Sequence, residues 1–158
     1  PLENVLATAV SRPRWLASHV TVAVLGAVAL LLLCGLATGL SYALVIGDLG
    51  QATSLIEAGL VQLPATLVVA GLAVAIFGLF PRLSVALTWG ALVGFLLLGL
   101  VGWFLQLPQV VLDLSPFSHV PAIPAVGLTA LPLVALFAVA VVLGWVGFSA
   151  FRRRDIAL

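Results

Sequence analysis

The sequence predicts an all-α protein, a polytopic membrane helix bundle with four transmembrane helices preceded by a short cytoplasmic amphipathic helix. Three observations lead to this fold class. Hydrophobic residues make up 64% of the chain and charged residues 7%, whereas soluble proteins average roughly 25% charged residues. The hydrophobic residues fall into long runs that can cross the hydrocarbon core of a bilayer. Arginines and acidic residues occupy alternate gaps between these runs.

The charges also predict the orientation in the membrane. The arginines lie before the first run, between the second and third, and after the fourth: Arg12, Arg14, Arg82, Arg152, Arg153 and Arg154. Three of the five acidic residues, Asp48, Glu57 and Asp113, lie in the other two gaps. Because arginine-rich loops stay in the cytoplasm, we expect a multi-pass protein of the inner (plasma) membrane with a cytoplasmic N-terminal segment and C-terminus.

Residues 1–14 form the predicted amphipathic helix. Leu2 and Leu6 are among its apolar residues at helical spacing. Pro13 is expected to end this helix near Arg12, because proline lacks the N–H group that a helix interior needs. The chain opens without a methionine and without the features of a signal or transit peptide. We therefore interpret the sequence as the C-terminal part of a longer membrane protein.

The predicted spans cover about residues 16–46, 60–80, 83–105 and 126–151. The first exceeds the roughly 20 residues that a bilayer requires, so we expect it to tilt or protrude. The turn at Pro81 and Arg82 is so short that the second and third spans must be antiparallel neighbours. Pro132 is expected to kink the fourth span.

Two pairs of glycines at GxxxG spacing are candidates for close helix packing. Gly35 and Gly39 lie in the first span, and Gly90 and Gly94 lie in the third. Residues 47–59, between the first two spans, are predicted to be an outer loop with a short surface helix over about residues 52–58.

The segment 106–124, before the fourth span, is rich in proline yet rather apolar. We expect short half-helices at the outer face, packed on the bundle so that their backbone polar groups are satisfied. Asp113 is interpreted as the cap of a helical turn over residues 115–118 or, alternatively, as a gate residue.

The sequence lacks the residues that would carry enzymatic chemistry or ion coupling. It has no lysine, which a Walker-type phosphate loop needs, and no charged residue in the middle of a span, where ion-coupled carriers normally place one. Cys34 is a single cysteine, and His19 and His119 are predicted on opposite sides of the membrane. We expect no catalytic site, no metal site and no nucleic-acid partner. Spans that are rich in small residues and lack charge suit a pathway for an apolar or amphipathic substrate. The energy for its transport would come from outside this segment.

Three stretches resemble a known transporter family. Residues 5–19 (VLATAVSRPRWLASH) resemble the cytoplasmic coupling segment of type-two ABC exporter permeases. Residues 113–125 (DLSPFSHVPAIPA) and 147–156 (GFSAFRRRDI) are similar to the outer loop and the basic tail of the actinobacterial polyketide-antibiotic exporter branch. Ala9 and Pro13 depart from the coupling pattern, which usually has a proline and a basic residue there.

The resemblance implies that residues 1–158 are the C-terminal portion of one transmembrane permease domain in an ATP-driven exporter. Its implied partners are ABC ATPase subunits, which would carry ATP and Mg, and the remaining permease spans in the same or a second chain. This chain would hold no cofactor of its own. The implied substrate is a hydrophobic small molecule, such as a drug or an antibiotic, that is moved out of the cell across the lipid bilayer.

The resemblance also assigns roles to residues. Residues 1–14 would be the coupling helix, seated in a groove of the ATPase, with Glu3, Arg12 and Arg14 as its contacts. Lipid headgroups are an equally good partner for Arg12 and Arg14. The outer segment would form the extracellular gate, with the candidate residues Asp113, Ser115, Pro116, Phe117 and His119.

Two other functions stay open on the sequence. A non-transporting membrane scaffold or assembly subunit would share the span pattern and the glycine pairs. An ion-coupled secondary carrier would place ionisable residues in spans outside this sequence.

Overall fold

The computed structural model describes residues 12–102, 104–122, 127 and 129–153. Within these residues the chain is helical and has no strand. The α-helices are α1 (Arg12–Ile46), α2 (Leu49–Val61), α3 (Leu63–Leu79), α4 (Ser84–Val101), α5 (Gln109–Leu112) and α6 (Ala130–Arg153), and a 3₁₀ helix covers Pro116–His119.

Four helical stretches are long and apolar enough to cross a membrane: Arg14–Ile46, Thr53–Leu79, Ser84–Val101 and Ala130–Arg153. The prediction of an all-α, four-span membrane bundle is confirmed. The predicted amphipathic helix over residues 1–14 lies outside the described residues, except for its last three.

The contacts between helices fix their directions. Gly71 and Gly78 of α3 lie against Ala140 and Gly147 of α6, and equal steps along the two helices keep this register, so α3 and α6 are parallel. α4 follows α3 in the chain and is antiparallel to it. The first turns of α1 lie beside the end of α3 and the start of α4. Arginines therefore gather at one end of the bundle, which we call the arginine end: Arg14, Arg82, Arg152 and Arg153.

Helices α1 and α2 form a tight antiparallel hairpin. Gly47 ends α1 with a φ of 79°, a left-handed conformation that glycine adopts without steric cost. Asp48 then caps α2, because its carboxylate accepts hydrogen bonds from the backbone N–H groups of Gly50 (2.9 Å) and Gln51 (3.2 Å). The outer-loop prediction for residues 47–59 is therefore wrong in extent, since a 13-residue helix occupies this segment.

Small residues bring the hairpin helices together. A side chain added at Gly59 would meet the Gly35 Cα atom at 3.2 Å, and one added at Gly35 would meet the Ile56 Cα atom at 3.2 Å. α1 contains 35 residues, about 52 Å at ~1.5 Å per residue, so it exceeds the ~30 Å hydrocarbon core. Its last third is covered on one side by α2, which explains how an overlong helix is accommodated.

Prolines begin helices here and do not break them. Pro13 is the second described residue of α1; the helix that it was expected to end lies outside the described residues, so that expectation stays a prediction. Pro132 is the third residue of the described α6, so it does not kink the middle of a span. Pro64 lies at the start of α3, just after the turn at Gln62 that separates α3 from α2. The physical reason is shared: the first N–H groups of a helix have no partner inside the helix, so proline loses nothing there.

The core of the bundle is the seam between α3 and α6. Its buried apolar cluster, which we call the core cluster, consists of Ala65, Val68, Leu136 and Ala140. Farther along the seam glycines let the two backbones come into contact. A Cβ added at Gly78 would meet the Gly147 carbonyl oxygen at 2.4 Å, and one at Gly71 would meet the Ala140 carbonyl oxygen at 2.7 Å. Close approach of this kind is how membrane helices gain van der Waals contact when lipid is as apolar as the helices themselves.

Candidate functional site

The proline-rich segment between α4 and α6 covers the end of the bundle opposite the arginine end. We call its residues 106–120 the cap. Its 3₁₀ helix contacts α3, α4 and α6, with Ser115 only 2% exposed and Pro116 buried. Phe117 and Val120 pack against the core cluster. The half-helices predicted for this segment are present, and they pack on the bundle as expected.

Local hydrogen bonds hold the cap in shape. The Ser118 hydroxyl donates to the Ser115 carbonyl at 2.7 Å, and His119 Nδ1 lies 3.3 Å from the same carbonyl. His119 Nδ1 also lies 3.2 Å from the Ser118 hydroxyl. At the start of the cap, Gln106 has a φ of 50°, which a non-glycine residue adopts rarely and at some cost.

Asp113 does not cap the 3₁₀ helix, so that interpretation is wrong. The residue before the 3₁₀ helix is Ser115, and its side chain makes no capping bond. The Asp113 carboxylate instead accepts a hydrogen bond of 2.9 Å from the Gln109 side-chain amide. This places Asp113 at the C-terminal end of α5, exposed at the surface of the cap. The alternative role as a gate residue stays a prediction.

A cavity of about 440 Å³ lies beneath the cap, between α3, α4 and α6. We call it the cap cavity. Its walls are almost wholly apolar and its polar groups come from the cap. The wall residues are Val68, Leu72, Phe95, Pro132, Ala135, Leu136, Val139 and Leu143, and the cap residues are Asp113, Leu114, Pro116 and His119. An apolar body with a few polar groups at one end is the usual composition of a small-molecule site.

A second, smaller cavity of about 260 Å³ lies on the α4 side of the cap. Ser115, Phe117 and Ser118 line it from the cap, and Leu98 lines it from α4. The Ser115 hydroxyl oxygen is buried and has no hydrogen-bond partner. An unpartnered buried hydroxyl is costly.

The structure brings the five gate candidates together in the cap. Asp113, Pro116 and His119 line the cap cavity, and Ser115 and Phe117 line the smaller cavity beside it. Whether these residues gate a pathway stays a prediction.

The coupling candidates lie at the other end. Glu3 is outside the described residues. Arg12 is the first described residue of α1, and Arg14 is exposed two residues later.

The two glycine pairs differ in their surroundings. Gly35 lies against α2 and Gly39 is buried, whereas nothing within 4 Å faces Gly90 or Gly94. Packing of that second pair on other spans stays a prediction.

The two histidines lie at opposite ends of the bundle. His19 is near the arginine end, with its ring 4.1 Å from that of Trp15 and its Nδ1 atom 3.0 Å from the Trp15 carbonyl oxygen. His119 is in the cap. Among the residues that the structure describes, no group of three His, Cys, Asp or Glu side chains could hold a metal ion.

Sequence reasoning missed the walls of the cap cavity and the α3–α6 seam. Val68 and Leu136 look like any other apolar residue of a span, so nothing in the sequence marks them. The seam did leave a readable signal, since small residues recur at spacings of three, four and seven. On α3 these are Gly71, Ala75 and Gly78, and on α6 they are Ala140 and Gly147.

The packing of Phe117 predicts its contribution to stability. Phe117→Ala should lower the free energy of unfolding by about 2 kcal/mol, because a fully buried phenylalanine is worth ~3–5 kcal/mol and Phe117 is half-buried. Phe104→Ala is the matched control, since Phe104 is 83% exposed. Thermal denaturation in detergent measures both. Equal melting temperatures for the two variants would contradict the packing of the cap on the core cluster.

Comparison with known proteins identifies the family of this chain. Residues 1–152 match the family described as the C-terminal domain of the multidrug efflux system permease Rv1217c. The multidrug efflux system permease protein Rv1217c of Mycobacterium tuberculosis is 42% identical to this chain over 155 residues. That match covers 98% of this chain and 28% of the relative, so the chain spans less than a third of the relative's length. The chain therefore belongs to the family of the C-terminal domain of multidrug efflux system permeases.

Proposed function

We propose that this chain is the C-terminal membrane portion of the permease of an ATP-driven ABC exporter, which moves a hydrophobic small molecule such as a drug or an antibiotic out of the cell. The observation that carries the proposal is the cap cavity of about 440 Å³, found in a member of an efflux-permease family. The relative from Mycobacterium tuberculosis is named a multidrug efflux permease, and we extend that substrate class to this chain.

The cap cavity would bind the substrate on its way out. Leu72, Phe95 and Val139 offer apolar surface from three different helices, and burying apolar surface contributes roughly 25 cal/mol per Å². Asp113 and His119 are the polar groups at the cap side, where they could bind a polar substituent. Such a site accepts many apolar molecules, because apolar contact has little directionality.

The energy for transport would come from ATP on a separate subunit. The sequence has no lysine for a Walker-type phosphate loop, and the middles of its spans carry no Asp, Glu, Lys or Arg to couple an ion gradient. ABC ATPase subunits, with ATP and Mg, are therefore the partners that the proposal requires, together with the remaining permease spans. The inner (plasma) membrane, with the arginine end in the cytoplasm, is the location that fits such an ATPase.

Helix α1 would transmit movement from the ATPase. It begins at Arg12 and continues without interruption to Ile46, so a force on residues 1–14 acts on one long rigid element. Leu16 is 6% exposed and shares a groove with Val74 and Phe77 of α3. α3 in turn forms part of the cap cavity through Val68. Export requires two conformations of the permease that differ in their affinity for the substrate.

Charge reversal tests the coupling role. The double variant Arg12→Glu/Arg14→Glu should lower drug transport by roughly tenfold or more while basal ATP hydrolysis continues, because breaking a charged contact at an interface costs ~2 kcal/mol or more. Arg152→Glu/Arg153→Glu removes the same charge from the same end of the bundle and serves as the matched control. Normal drug-stimulated transport in the Arg12/Arg14 variant would contradict the coupling role.

Co-purification tests the proposed function itself. The full-length chain, expressed with its neighbouring ATPase, should yield a stable complex whose ATP hydrolysis is inhibited by vanadate and stimulated by apolar drugs. A permease that purifies alone under gentle detergent would favour the scaffold. Drug transport that requires an ion gradient would favour the secondary carrier.

A further inference from the structure

A second apolar groove, independent of the cap cavity, lies at the arginine end of the bundle. It has a volume of about 370 Å³, and we call it the arginine-end groove. Trp15 and His19 of α1 form one wall, Phe77 of α3 forms the floor, and Thr88 and Trp89 of α4 form the other wall. The proposed export function makes no use of this groove as a binding site.

The rims of the groove carry exposed aromatic side chains. Trp15 is 48% exposed and Trp89 is 63% exposed, and they lie on different helices at the same end of the bundle. Tryptophan concentrates at the boundary between hydrocarbon and headgroups, where one side of the ring is apolar and the N–H group can reach water. Exposed tryptophans on two helices therefore fit a groove that opens where an acyl chain meets its headgroup.

Two arginines lie close in the chain to wall residues of the groove. Arg14 directly precedes the wall residue Trp15, and Arg82 lies two residues before the wall residue Ser84. Both arginines are exposed, and neither forms an ion pair within the described part of the chain. The acidic residues that the structure describes lie away from this end: Asp48, Glu57 and Asp113.

We propose that the arginine-end groove binds an anionic phospholipid, with one acyl chain between α1 and α4 and the phosphate near Arg14 and Arg82. The apolar floor and walls fit the chain, and the two exposed arginines fit the negative headgroup. A zwitterionic lipid would fill the groove equally well but would gain less from the arginines.

The proposal predicts that the charge of the two arginines sets the preference for a lipid headgroup. It also predicts that lipid binding depends on free space in the groove. Native mass spectrometry of the full-length permease should retain phosphatidylglycerol about tenfold more than phosphatidylcholine, because each arginine near an anionic headgroup contributes a several-fold factor. Arg14→Gln/Arg82→Gln should remove this preference. Val85→Trp should reduce retention, because Val85 lines the groove and is 72% exposed. Val93→Trp, on the same helix, is the matched control, since Val93 is 47% exposed and does not line the groove.

A phosphatidylglycerol with a photoactivatable diazirine in one acyl chain locates the bound lipid. Labelling should concentrate on the groove residues of α1, α3 and α4 and fall in Val85→Trp but not in Val93→Trp. Equal retention of the two lipids would overturn the role of the arginines. An unlabelled groove would show that another part of the permease or a drug occupies it, and would overturn the proposal while leaving the proposed export function untouched.

Discussion

Replacing Gly78 or Gly147 by alanine is expected to disrupt the α3–α6 seam and reduce the yield of folded protein. A Cβ atom at Gly78 would lie 2.4 Å from the Gly147 carbonyl oxygen, and one at Gly147 would lie 2.5 Å from the Val74 carbonyl carbon. Both neighbours are backbone atoms, so a side-chain rotation cannot relieve the clash and the helices must separate. Overpacking of well-packed interiors costs typically ~1–3 kcal/mol, and we expect the upper part of that range for each variant.

Gly144→Ala is the control for this experiment. Gly144 lies on the same helix as Gly147, but an added Cβ would have no atom within 4 Å. This variant should be neutral or stabilise the helix by up to ~1 kcal/mol, because alanine is the better helix former. Size-exclusion chromatography in detergent followed by thermal denaturation measures all three. If Gly78→Ala and Gly147→Ala had the melting temperature of the wild type, the close approach of the two helices would be contradicted.

Filling the cap cavity should reduce export about tenfold without unfolding the protein. Ala135 lines the cavity from α6, and Ala135→Phe places an aromatic ring in the space that we assign to the substrate. We expect drug transport to fall by about tenfold, equivalent to ~1.4 kcal/mol of lost binding, and drug stimulation of ATP hydrolysis to fall with it. Basal ATP hydrolysis should continue, because the ATPase is a separate subunit in the proposal.

The matched control for this variant is Ala138→Phe. Ala138 is exposed on α6, one helical turn from Ala135, and does not line the cap cavity. A phenylalanine there should leave transport near the wild-type level. If Ala135→Phe exports drugs as well as Ala138→Phe does, the substrate does not pass through the cap cavity.

The spans and the cap were predictable because their signals are local. Long apolar runs between arginines define membrane spans by length alone, and the prolines around Pro116 exclude a continuous helix in the cap. α2 was underestimated because Asp48 and Glu57 favour a surface loop. Its other face packs through Gly59 on Gly35 of α1, and that contact is visible only once the hairpin is formed.

The arrangement of the helices was not predictable from the same signals. Spacing of glycines singled out Gly90 and Gly94, which face open space in the structure, as readily as Gly35, which makes a close contact. A small residue permits close approach but does not say which helix approaches. The parallel α3–α6 pair depends on the path of the chain through α4 and the cap, so the walls of the cap cavity follow from the tertiary fold.

We propose above that this member of the permease family exports hydrophobic molecules with energy from ATP. Accumulation of a fluorescent apolar drug in inside-out membrane vesicles, which contain the full-length permease and its ATPase, tests this proposal. We expect accumulation that requires ATP, is blocked by vanadate and continues when ionophores dissipate the ion gradients. Accumulation that is abolished by ionophores and indifferent to vanadate would contradict the proposal.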